Sequence, residues 1–209
     1  MTQSEKKTTG RVEYFTPISD DDVPGSHQLT VTKYRRLATE LDVPETTAVC
    51  YRVRAGFTLQ VLAGSVELFN GDGFTFPDRG FPDVPTQDGL VFWVPRIVAG
   101  TTSRTADEQV QVLAALRTRL DLPAHHLTNF GDATLVTGLI LAHHRATGER
   151  VPLNYYWVHT ATCAGNTRLE LGDHGEEFGL DCEYTDLDDH TDDIDAHTGV
   201  FAIGIDPLT

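Results

Sequence analysis

The run Asp132-Ala133-Thr134-Leu135-Val136-Thr137-Gly138-Leu139-Ile140-Leu141-Ala142-His143-His144-Arg145-Ala146-Thr147-Gly148 decides the fold class. Leu135, Val136, Leu139 and Ile140 recur at helical spacing and make one apolar stripe. Asp132 stands where an N-cap is needed, and Gly148 is a natural C-terminal stop. Residues 135–142 are the longest apolar helical run, far short of the roughly 20 residues that a membrane span needs. Just upstream, Thr105-Ala106-Asp107-Glu108 is a capping-box sequence. It opens another helix, with Ala106, Val110, Leu113, Leu116 and Leu120 on one face and Pro123 beyond its end.

Outward from these helices the texture is strand. Residues 153–163 are aromatic and β-branched, 167–171 alternate, and Leu180, Cys182 and Tyr184 share a period of two. Residues 199–205 read as a buried final strand. On the N-terminal side, 48–53, 57–62 and 65–69 read as strands, with Asn70-Gly71-Asp72-Gly73 as a turn. Residues 77–89 read as a long loop, and Val91-Phe92-Trp93-Val94 as a strand closed by Pro95. A short helix is expected over 32–41, with Tyr34, Leu37 and Leu41 on one side, after a polar arm at 1–29. Runs of strands beside runs of helices predict an α+β fold. The expected divisions are an arm and short helix at 1–44, a β-rich segment at 45–100, and a C-terminal domain at 101–209. That last domain should hold two helices and a small antiparallel sheet.

Charge marks one part of the chain. The 209 residues carry 16 Lys+Arg against 31 Asp+Glu, a net charge of −15. From residue 169 onward there are 13 acids and no Lys or Arg, so the first 168 residues are nearly neutral. Phosphate binding needs clustered Lys and Arg, which excludes a nucleic-acid surface near the C-terminus. The same balance speaks against a polybasic membrane surface. The first ten residues lack the apolar core of a signal peptide, so a soluble, cytoplasmic protein is expected.

Cys50, Cys163 and Cys182 make no CxxC pair and read as structural thiols; a Cys163–Cys182 bridge would require an oxidising compartment. His143 falls on the apolar stripe and reads as a core histidine, with His144 at its edge. His125-His126 follows Pro123 and reads as a solvated loop. His159 is equally a hydrogen-bonded core residue or a site residue. No HxH, HxxxH or HExxH spacing occurs, nor any GxSxG elbow or P-loop. The segment Leu62-Ala63-Gly64-Ser65-Val66-Glu67-Leu68 resembles the strand–Gly–strand texture of cupin barrels, but no histidine lies between His27 and His125, which discounts a metal cupin.

The acidic segment 173–197 is the expected binding face. It holds Asp173, His174, Asp181, Tyr184, Asp186, Asp188, Asp189, His190, Asp192, Asp193, Asp195 and His197. Calcium is the cofactor such oxygens would take, but the EF-hand pattern fails: counted from Asp193, Thr198 stands where Gly is needed and Gly204 where Glu is needed. A looser calcium site stays open. Asp, His and Tyr codons each differ from an Asn codon at the first base alone, so adenine-targeted mutation of Asn codons would leave this residue set.

The runs Val151-Pro152, Tyr156-Trp157-Val158-His159-Thr160-Ala161-Thr162, Arg168-Leu169-Glu170-Leu171-Gly172, Gly179-Leu180-Asp181-Cys182 and Gly199-Val200-Phe201-Ala202-Ile203-Gly204 carry a resemblance. Together they make residues 101–209 resemble the C-type-lectin-like domains of formylglycine-generating enzymes and of the variable proteins made by diversity-generating retroelements. The resemblance implies a fixed scaffold whose C-terminal segment displays variable residues to a ligand. It implies a non-enzymatic binding protein with a polar or cationic partner, such as another protein. The ending Gly199-Val200-Phe201-Ala202 departs from the usual Gly-Phe-Arg type, and the paired cysteines of the oxidase have no counterpart, so oxidase activity is not implied. Two other functions fit the same sequence. One is a metal-dependent enzyme or calcium-binding protein using the 173–197 acids and histidines. The other is an oligomeric structural subunit of a viral or mobile-element assembly.

Overall fold

The computed structural model describes residues 13–60, 80–153, 156–173, 180–186 and 197–208. In chain order the elements are β1 (Phe15–Ile18), α1 (Gln28–Glu40), β2 (Cys50–Val53), β3 (Gly89–Ile97), α2 (Ala106–Arg119), α3 (Ala133–Thr147), β4 (Trp157–Ala164), β5 (Thr167–Asp173), β6 (Leu180–Asp186), β7 (Thr198–Gly199) and β8 (Phe201–Pro207). The fold is α+β, with two four-stranded sheets among the described residues. One has the order β1-β2-β3-β8 and is antiparallel throughout. The other has the order β6-β5-β4-β7 and is parallel only between β4 and β7.

The unbroken apolar run of β3 has a physical reason. Strand side chains alternate between faces, so a run with no polar member must be covered on both. Leu90, Phe92 and Val94 pack with Tyr34 and Leu37 of α1 and with Leu113 and Leu116 of α2. Val91 and Trp93 pack on the other face with Val136 and Leu139 of α3 and with Val158, Leu169 and Leu171 of the second sheet. The β1-β2-β3-β8 sheet is therefore a central layer between two cores. Because β3 pairs with β8, the division expected at residue 100 falls between two bonded strands. Val200, fully buried, carries the chain from β7 in one sheet to β8 in the other.

Several expectations hold closely. Thr105 accepts from the Glu108 N–H, and the Glu108 carboxylate accepts from the Thr105 N–H, so the capping box is complete. α3 runs from Ala133, after Asp132, to Thr147, and Gly148 closes it at φ +75. The stripe expected on α3 is only part of its burial, because every residue from Ala133 to His143 is buried. Gly138 lets it sit so deep: a Cβ there would overlap the ring of Phe15 on β1.

Other expectations are corrected. The polar arm at 1–29 contains β1, held in register against β2 from Phe15↔Val53 to Ile18↔Cys50. α1 begins four residues before Thr32; the Gln28 side chain donates to the carbonyls of Asp20 and Val23 and anchors that end. Residues 59–60 are helical rather than strand, because the Asp83 carboxylate accepts both the Leu59 and Gln60 N–H groups, at 2.8 and 3.0 Å. That is capping from a residue distant in sequence. Pro95 does not close its strand; β3 continues to Ile97 through a register shift after Trp93, where a missing donor is tolerated. Cys50 and Cys163 are free thiols. Cys163 lies opposite Arg168, whose other neighbour is Thr185 on β6, so β5 separates Cys163 from the strand of Cys182. Two strand spacings, about 9.5 Å, exceed the reach of a disulfide. The strand expected at 65–69 and the turn at 70–73 lie outside the described residues.

Candidate metal centre

Asp206 is the focus of a histidine cluster drawn from distant parts of the chain. β8 places it: Ala202 and Gly204 precede it on the same face, toward α1. The Nε2 atoms of His125 and His126 lie 2.6 and 3.0 Å from its Oδ1. His27 brings its Nε2 to 3.4 Å from Oδ2. One ligand atom each from His125, His126 and Asp206 lie within 4.8 Å of one another. The His126 side chain is fully buried, Asp206 is 14% exposed, and His27 and His125 are 26% and 57% exposed. The cluster is thus closed from below and open to solvent on one side.

The surroundings orient these rings. Phe92 lies beneath, with its centroid 5.6 Å from His126, 5.5 Å from Tyr34 and 6.2 Å from His27. The Tyr34 hydroxyl is 3.4 Å from His126 Nδ1, and the Ser26 hydroxyl is 3.0 Å from His27 Nδ1. A hydroxyl either donates or accepts, so each ring can present Nε2 as an N–H to Asp206 or as a lone pair to a metal. The loop holding His126 is pinned by the Leu127 N–H, which donates to Ile203 O at 3.2 Å. Leu127 sits at φ +49, a left-handed conformation that costs a leucine about 1–2 kcal/mol and persists through this burial. Gly204 leaves the space: a Cβ there would overlap both His126 and the Tyr34 hydroxyl.

The electrostatics follow from burial. It pushes the His126 imidazole below the usual histidine range, outweighing the pull of Asp206. Burial pushes Asp206 upward, but hydrogen bonds from His125 and His126 hold it below the usual carboxylate range. A neutral imidazole beside an ionised carboxylate is the protonation state that metal ligation requires. Burial, then Asp206, raises the Tyr34 phenol well above its ordinary value. The Cys50 thiol, on the strand beside Phe92, is pushed up to about 12 by burial and by Asp20 and Asp206, so it stays a thiol.

The sequence alone does not announce this site. His125-His126 was expected as a solvated loop; instead His126 is buried and both rings meet Asp206. The adjacent pair after Pro123 is the only local signal, and nothing along the chain links it to residues 27 and 206. His143 is a core histidine as expected, edge-on to Trp93 at 6.2 Å. His159 is a hydrogen-bonded internal residue: Nδ1 donates to Gln109 Oε1 at 2.5 Å, and Nε2 is 2.8 Å from Glu170. Gln109 is itself fully buried, donating to the carbonyls of Thr101 and Thr198.

The expected binding-face residues are only partly placed. Asp173 ends β5, and Asp181, Tyr184 and Asp186 stand on β6. His197 is exposed, with its carbonyl accepting from the Trp157 N–H. His174, Asp188, Asp189, His190, Asp192, Asp193 and Asp195 lie outside the described residues. Two of the 13 C-terminal acids, Glu170 and Asp206, turn inward and do not belong to an acidic surface. Among the described residues no helix is long and apolar enough to cross a membrane. Compared with protein-family models, with curated proteins and with solved structures, the chain gives no match.

Proposed function

We propose that this chain is a metal-dependent protein whose working centre is His125, His126 and Asp206, with His27 beside them. One observation carries the reading: three imidazole Nε2 atoms converge on a single carboxylate. Nitrogen donors with one carboxylate suit a divalent transition ion such as zinc, iron or manganese, whereas calcium takes oxygen ligands. Three protein ligands with a solvent-facing side resemble catalytic rather than structural zinc sites. An ion held there would polarise a bound oxygen and make water a nucleophile near neutral pH, which points to hydrolysis or hydration. The metal-dependent alternative drawn from the sequence thus moves from residues 173–197 to a different set.

Calorimetric titration with Zn²⁺ and Mn²⁺, with metal analysis of the purified protein, tests this. One ion per chain is expected, and Asp206→Asn should lower affinity about 100-fold or abolish it. No uptake by the unmodified protein rejects the proposal.

A second reading keeps the C-type-lectin-like display of residues 173–197. It is supported by the scaffold beneath that segment: β6, which lies within it, pairs with β5 over seven residues, from Thr167↔Asp186 to Asp173↔Leu180. Under this reading, replacing Asp188, His190, Asp192 and Asp193 together by Ser leaves the circular dichroism spectrum intact and abolishes binding to a lysine-rich peptide. Unchanged peptide binding in that variant rejects it.

A further inference from the structure

Strand alternation sends Ile205 and Pro207 to the face of β8 opposite Asp206. There they help line a cavity of about 250 Å³, with Val53, Val91, Leu135 and Asp132 among its other walls. An apolar cavity of roughly 150 Å³ holds one benzene, and drug-sized ligands fill roughly 300–1,000 Å³. The space fits one ring with a short side arm. Val84 and Ile205, two of the four large apolar side chains that are exposed among the described residues, lie on it.

Asp132 gives this cavity its chemistry. It occupies the N-cap position of α3, yet its carboxylate makes no capping bond. The N–H of Ala133, the first helical residue, is taken by the Thr162 hydroxyl at 2.9 Å. Asp132 is exposed at the rim of the cavity, which Asp88 also lines and which no Lys or Arg lines. Asp88 is partly engaged, since it accepts the Ala55 N–H at 3.2 Å. Partial burial of its inner side holds the Asp132 carboxyl above its ordinary range, although the residue as a whole is exposed.

We infer that this cavity binds a small apolar amine, with its ammonium on Asp132 and its ring against Val53, Val91, Leu135 and Ile205. The site lies across β8 from the histidine cluster and does not depend on metal there. The test is methyl NMR of the full chain titrated with benzylamine, benzyl alcohol and benzoate. Benzylamine should shift the Val53, Val91, Leu135 and Ile205 methyls saturably. Benzyl alcohol should bind about tenfold more weakly, the usual worth of a charge-assisted hydrogen bond, and benzoate not at all. Asp132→Asn, which keeps a good N-cap residue, should bring benzylamine down to the alcohol's affinity. The inference is overturned if benzylamine shifts none of these methyls, or if amine and alcohol bind alike. It is also overturned if a folded Asp132→Asn binds the amine unchanged. Should that variant fail to fold, the amine-to-alcohol ratio on the unmodified protein decides.

Discussion

Gly204 shows how much one residue can decide. Nothing in its neighbours along the chain asks for glycine, and it sits inside a strand, where glycine is usually a cost. Its role is to let His126 and Tyr34 close against β8, two residues from Asp206. Gly204→Ala should therefore keep the circular dichroism spectrum, lower stability by about 1–3 kcal/mol and weaken zinc binding at least about tenfold. Urea titration and calorimetry measure the two effects separately. Wild-type zinc affinity in this variant would contradict the arrangement of the cluster. Gln109 makes a related point. Helical spacing marks Leu113 and Leu116 as core, but it gives no reason to bury a glutamine beside them. Burial becomes tolerable only because Thr101, Thr198 and His159 meet all of its amide's needs.

At the scale of elements, legibility depends on whether the stabilising partners are local. The α2 capping box is formed between residues three apart, and it was readable. Thr105→Ala should cost about 1 kcal/mol, measured as a lower urea midpoint with an unchanged slope. A shift below about 0.3 kcal/mol would mean that α2 is held by packing alone. The helical turn at residues 59–60 is the opposite case. Its β-branched and aromatic surroundings favour a strand, and the carboxylate that caps it is Asp83. Likewise, β1 is only four residues long and contains Pro17, so it does not announce itself. It exists because β2 offers four paired positions and because Gly138 leaves a seat for Phe15.

For the whole molecule, the buried histidines set a pH dependence. Burial keeps His126 and His143 below the usual histidine value, and His125 and His126 keep Asp206 below the usual carboxylate value. Unfolding returns them to about 6.5 and about 3.9. Between the folded and unfolded values the unfolded chain binds more protons, so stability rises with pH there. The histidine contributions are full above about pH 6.5 and are lost as pH falls through the folded values; the Asp206 contribution goes below about pH 4. Urea midpoints in chelator at pH 8, 7, 6 and 5 should fall on the acid side, and His143→Leu should flatten part of that fall. A flat profile from pH 7 to 5 would contradict it. The sequence by itself determined the α+β class, helix α2 with its capping box, helix α3 with its Gly148 stop, the strand texture of β3 through β6, and the core place of His143. These depend on periodicity and on contacts within a few residues. Only the tertiary structure decided that β3 pairs with β8, that Val200 joins two sheets, and that His27, His125, His126 and Asp206 meet. Those contacts span about 80 residues or more, and their cause is the shared burial of two faces of one sheet, which no local pattern encodes.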